Sequence, residues 1–193
     1  MPAADAARIR AFATPAEWNA WLAAHHDREP ELWLRLYKKA SGIPSIDWEE
    51  AVVEALCWGW IDGIRKSGDD ASYLQRFTPR RRGSVWSQKN RSHVERLLAE
   101  GRMQPAGLAQ VSAAKADGRW DAAYEGSAAM QLPADFLAAL KTAPPAAQET
   151  FASLNRQNLY SIAYRLNTAK RPETRAKRIG DFIAMLARGE RFH

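Results

Sequence analysis

The sequence predicts an α+β fold, with a small antiparallel sheet packed with helices in the N-terminal half and a helical C-terminal half. Three observations carry this. Glu31–Lys38 alternates Leu32, Leu34 and Leu36 with Trp33, Arg35 and Tyr37, the period-two pattern of a strand. Residues 60–65 and 71–77 flank the polar run Lys66-Ser67-Gly68-Asp69-Asp70, which reads as an antiparallel hairpin. Beyond Gly101 the apolar residues recur at helical spacing almost to the end of the chain.

Each element has a local reason. Thr14-Pro15-Ala16-Glu17 is an N-cap, a proline at the first helical position and a capping-box glutamate, so a helix follows through Trp18, Trp21 and Leu22. Asp47-Trp48-Glu49-Glu50 repeats the signal ahead of Ala51, Val52, Ala55 and Leu56, and that helix ends near Gly59. Ser87 is the natural N-cap of a helix carrying Val94, Leu97 and Leu98. Later helices are expected over 105–117 and 133–140. A long one runs from Ala146 with Phe151, Leu154, Leu159, Ile162 and Leu166 on one side, and a last one starts at Pro172. The division expected is an α+β domain over 1–101 and a helical domain over 102–193.

Of the 193 residues, 46% are hydrophobic and 26% charged, which argues against disorder. The one cysteine, Cys57, excludes an intramolecular disulfide and lies in the apolar run Ala55-Leu56-Cys57-Trp58, the setting of a buried core residue. No export signal is apparent at the N-terminus and no apolar run approaches the ~20 residues that span a bilayer, so a cytoplasmic location without a membrane span is expected. The four histidines (25, 26, 93 and 193) lack metal-ligand spacing, and no Walker, GxGxxG or GxSxG pattern is present. No metal and no cofactor is expected.

The net charge of +6 is concentrated. The window 76–94 holds six cations and no acid, and 165–178 holds six against Glu173 alone, which leaves −5 for the rest. Local basicity points to an anionic partner. In Ser84-Val85-Trp86-Ser87-Gln88-Lys89-Asn90, cations crowd a helix start where the dipole disfavours them, and a bound phosphate or carboxylate would relieve the conflict. The alternative is a solvated basic loop whose arginine stems cover apolar surface. Asp62, between Trp60 and Gly63, reads as a partly buried carboxylate, either paired with an arginine of the neighbouring strand such as Arg76 or acting as a general base. The cleft expected to bind the ligand comprises Tyr37, Lys38, Trp60, Asp62, Arg76, Arg80, Arg81, Trp86, Ser87 and Asn90. The turn of Lys170, Arg171 and Arg175 forms a secondary basic site.

Leu36-Tyr37-Lys38-Lys39-Ala40-Ser41-Gly42, Ala55-Leu56-Cys57-Trp58-Gly59-Trp60-Ile61-Asp62-Gly63, Arg76-Phe77-Thr78-Pro79-Arg80-Arg81 and the tail Ala169-Lys170-Arg171-Pro172-Glu173-Thr174-Arg175 resemble the bacterial YdeI/OmpD-associated family, over about Glu31 to Gly189. The resemblance implies bacteriocin protection, tolerance of cationic antimicrobial peptides and an outer-membrane porin as an envelope partner. It implies no reaction and no catalytic residue. The expected function is therefore a non-enzymatic binding or stress-tolerance protein for an anionic small molecule or phosphate-bearing ligand. A nucleic-acid-binding protein that stacks bases on Trp86, Phe77 and Tyr73, and an enzyme with Asp62 as general base, are the alternatives.

Overall fold

The computed structural model describes residues 6–126, 131–169 and 171–193. By its own contacts the chain forms two compact units, Met1–Ala123 and Tyr124–His193.

The first unit is α+β. Four strands, β1 (Ile9–Arg10), β2 (Leu32–Tyr37), β3 (Trp60–Ser67) and β4 (Ser72–Pro79), form one sheet in the order β1-β2-β4-β3. The three longer strands are antiparallel neighbours, and two-residue β1 adds a parallel edge beside Trp33 and Leu34. Sequence alternation could not show β1, since two residues carry no period. The hairpin strands run longer than expected and the loop is correspondingly short. β3 gains one residue on β4 between Asp62 and Arg65, a bulge. Gln75, buried, closes it by donating from Nε2 to the carbonyls of Gly63 (2.9 Å) and Ile64 (3.4 Å).

Leu32, Leu34, Leu36, Phe77 and Trp60 face the helices α1 (Pro15–His25) and α2 (Trp48–Cys57). Both helices start as their sequences dictate. Thr14 accepts from the Glu17 N–H, and Asp47 and Glu50 form a reciprocal capping box. Trp18 is fully enclosed at the centre of the core, donates from Nε1 to the Ala51 carbonyl at 3.0 Å, and meets Phe12, Trp21, Trp60 and Phe77 ring to ring. Helices α3 (Gln88–Ala99) and α4 (Pro105–Ala116) complete this core with Val94, Leu97, Val111 and Ala114. α4 reaches α2 because Gly107 has no side chain. A Cβ there would lie 2.3 Å from the Cys57 carbonyl oxygen.

Cys57 is buried in this core, and burial pushes its thiol pKa up to about 11. The native protein should therefore fail to react with a thiol-specific reagent at pH 8, whereas the denatured chain titrates one thiol. Stoichiometric native labelling would contradict this placement.

The second unit is helical: α5 (Ala134–Lys141), α6 (Pro145–Ala152), α7 (Arg156–Asn167) and α8 (Pro172–Ala187) surround Phe136, Leu140, Ile162, Leu166, Phe182 and Leu186. The single long helix expected from Ala146 is in fact two. The chain breaks at Ser153–Asn155, where Asn155 caps α7 by accepting from the Asn158 N–H at 3.0 Å. An asparagine side chain competes with the helix for backbone partners, and here it starts a new one. Buried Asn158 then accepts from the N–H groups of Phe192 and His193 at 2.9 and 3.2 Å, fixing the end of the chain to α7.

Candidate functional site

The loop between β4 and α3 holds the residues that the sequence singled out. Its first arginine turns inward. Arg80 is buried, its guanidinium lies 3.5 Å from the centroid of the Trp86 ring, and Nη1 donates to the Val85 carbonyl at 3.2 Å. Its backbone N–H donates to the Gly59 carbonyl at 2.9 Å, and Gly59 can turn there because it adopts φ +73°. Trp86 is buried and stacks edgewise on Trp120. The loop beyond is pinned through its backbone. The Arg81 N–H donates to Ser84 Oγ at 2.9 Å, and Arg119 donates to the Ser84 carbonyl at 2.8 Å. Arg81, Arg82 and Val85 are left exposed on this frame. Ser87 caps α3 by accepting from the Asn90 N–H at 3.1 Å, as its position predicts.

Asp62 stands next to this loop at the start of β3. Its Oδ2 accepts from the indole N–H of Trp48 at 3.2 Å. Burial raises the pKa of its carboxyl, and the Trp48 hydrogen bond, a backbone N–H and the positive field of Arg80 partly offset that. The expected partner Arg76 is engaged elsewhere. It lies in register with Trp33, and its Nε donates to Glu31 at 2.6 Å. Gly63 lies in the bulge, where its carbonyl accepts from Gln75 Nε2.

The cations at the start of α3 are not without acids. Lys89 pairs with Glu49 of α2 at 2.9 Å and lies 5.2 Å from the Trp48 ring centroid. Hydrogen bonding and charge from Lys89 hold the Glu49 carboxyl below its usual pKa, and burial lowers that of neighbouring His93. Arg91 donates to the Trp120 carbonyl at 3.0 Å. The acids that balance the run come from distant segments, which is why the sequence window looked acid-free.

Of the ten residues expected to share a cleft, Arg80, Arg81, Trp86, Ser87 and Asn90 lie along the β4–α3 loop and the start of α3, and Asp62 feels the charge of Arg80. Trp60 belongs to the core, where its Nε1 donates to the His26 carbonyl. Tyr37 pairs with Ser72 while Asp62 pairs with Phe77, so five positions of β4 separate them, roughly 17 Å along a strand. Lys38 lies at that far end with its Nζ on the Asp70 carbonyl. In the second unit, Arg175 is structural, bonding Asp135 through Nε (2.6 Å) and Nη2 (2.9 Å) and the Leu166 carbonyl through Nη1. Arg171 is the exposed N-cap residue of α8, and Lys170 lies outside the described residues.

Trp48 is the residue that sequence reasoning missed. At the first position of α2 it looked like part of a cap, yet 37% of it is exposed. A tryptophan at the solvent end of an amphipathic helix was the available signal. Two surface cavities of about 430 and 580 Å³ lie elsewhere in the first unit, both bordered by buried Glu54 and its ion-pair partner Arg102. Among the described residues, no cluster of three or more His, Cys, Asp or Glu could hold a metal ion, and no helix is long and apolar enough to cross a membrane.

Residues 10–110, which include the sheet's three longer strands, the β4–α3 loop and α3, match the family described as a domain of unknown function, DUF8412, and the chain belongs to that family. Residues 129–189 match the family described as Bacteriocin-protection, YdeI or OmpD-Associated, so the resemblance read from the sequence holds, carried by the helical unit. The motifs quoted from Leu36 to Arg81 fall within the DUF8412 stretch. No curated protein and no solved structure matches the chain.

Proposed function

We propose that this chain is a non-catalytic binding protein that holds an anionic, phosphate-bearing ligand on the β4–α3 loop. One observation carries the reading. Arg80 is spent on fixing the loop against Trp86 and Val85, while Arg81 and Arg82 project into solvent from that fixed frame, ahead of a helix whose first turn contains no acid. Guanidinium groups suit phosphate because each offers a planar fork of donors to oxygens. A preformed loop also lowers the ordering cost of binding. A part in bacteriocin protection, as the description of the second match words it, would follow from such binding as its cellular consequence.

The alternatives find less support. Trp86 and Phe77 are buried, so two of the three aromatics invoked for base stacking are covered. A general-base role for Asp62 has only its raised pKa in favour, and one carboxylate oxygen is already taken by the Trp48 indole N–H at 3.2 Å.

Calorimetric titration with pyrophosphate tests the proposal. The Arg81→Ala, Arg82→Ala double variant should bind about tenfold or more weakly, since each lost charge-assisted bond is worth roughly 1.5–3 kcal/mol. Equal affinity in the two proteins would remove the site.

A further inference from the structure

The surface beside the basic loop has more than charge. Trp48 exposes 37% of its area, yet its ring is not free to turn, because its N–H is held on Asp62 Oδ2 at 3.2 Å. Lys89 sits 5.2 Å from the ring centroid and is itself tied to Glu49 at 2.9 Å. Val85, 51% exposed, ends the loop that carries Arg81 and Arg82, and its carbonyl is bonded to Arg80, whose charge reaches Asp62. A large aromatic side chain normally hides its apolar area. Here a fixed, half-open indole is bonded to a carboxylate that feels the charge of Arg80, and the exposed Arg81, Arg82 and Val85 follow Arg80 on the same loop.

These parts ask for different things of one ligand. The indole face suits a flat ring, since stacking on an aromatic side chain tolerates any base. An ionised carboxylate accepts hydrogen bonds and donates none, so Asp62, with Trp48 on one oxygen, suits a hydroxyl or amino group. Arg81 and Arg82 suit phosphate.

Resting on the anion-binding reading above, we propose that the ligand is a nucleoside phosphate. Its base stacks on Trp48, its sugar or base donors meet Asp62, and its phosphates meet Arg81 and Arg82. Trp48 and Asp62 thereby select a nucleotide over a bare phosphate.

Calorimetric titration of the full chain with pyrophosphate and with ADP separates the two readings, because both probes carry two linked phosphates and only one has a base. ADP should bind about tenfold tighter than pyrophosphate. Trp48→Leu should abolish that preference, bringing the ratio of ADP to pyrophosphate affinity to about one, and Asp62→Asn, which keeps the side-chain shape, should reduce it. Circular dichroism melting identifies any variant that fails to fold, and the ADP-to-pyrophosphate ratio of the wild type stands without the variants. If pyrophosphate binds and ADP binds no better, or if the preference survives Trp48→Leu, the nucleotide assignment is wrong and the anion site stands. A Trp48-dependent gain seen with short oligothymidylates but not with ADP would overturn the free nucleotide in favour of a strand. Loss of binding by both probes would remove both readings.

Discussion

Trp18→Ala should cost about 3–5 kcal/mol of stability, the largest effect of any single truncation in the first unit. Trp18 is fully enclosed. The substitution removes its ring contacts to Phe12, Trp21, Trp60 and Phe77 together and leaves a cavity between α1, α2 and the sheet. It also strips the Ala51 carbonyl of the indole N–H that bonds it. The melting temperature should fall on the order of 10–20 °C. A loss below about 1 kcal/mol in chemical denaturation would mean that α1 does not pack as described. Trp21→Ala is the informative contrast, because Trp21 is only partly buried and packs at the margin of the same core.

The second large effect comes from adding atoms. Gly107→Ala introduces a methyl group 2.3 Å from the Cys57 carbonyl oxygen and 2.8 Å from that of Leu56. Both are backbone atoms at the end of α2, so no side chain can swing away. Cys57 O also accepts the Gln104 N–H at 3.0 Å, which ties the start of α4 to the same spot. Alanine favours a helix over glycine by about 1 kcal/mol, yet forced separation of α2 and α4 should outweigh this, for a net loss of roughly 2–3 kcal/mol. Gly180→Ala in α8 should do the opposite. Nothing lies within 4 Å of a Cβ there, so only the propensity gain of about 0.5–1 kcal/mol remains. Urea denaturation of the two variants should therefore show shifts of opposite sign. A stabilised Gly107→Ala protein would contradict the close approach of α4 to α2.

What the sequence made legible was mostly local. The caps at Thr14, Asp47 and Ser87 and the alternation in β2 lie within a few residues of what they determine, and the structure places each as read. The helix broken at Asn155 failed because apolar spacing continues across the break, while the signal that mattered was one asparagine. Long-range partners were the other gap. Lys89 finds Glu49 forty positions away and Arg76 finds Glu31 forty-five positions away, so a window that held only cations could not reveal its own counter-charges. Similarly, the cleft lost Tyr37 and Lys38 because strand register, which no spacing rule supplies, puts them at the other end of the sheet. Trp48 was overlooked for a related reason: its relation to Asp62 exists only once α2 lies beside β3.

A two-dimensional amide NMR titration of the wild-type chain with pyrophosphate tests the central claim most directly, because it locates the site instead of only detecting binding. The largest shift changes should fall on the amides from Arg81 to Asn90. Changes centred on the turn before α8, or no change at millimolar pyrophosphate, would contradict it.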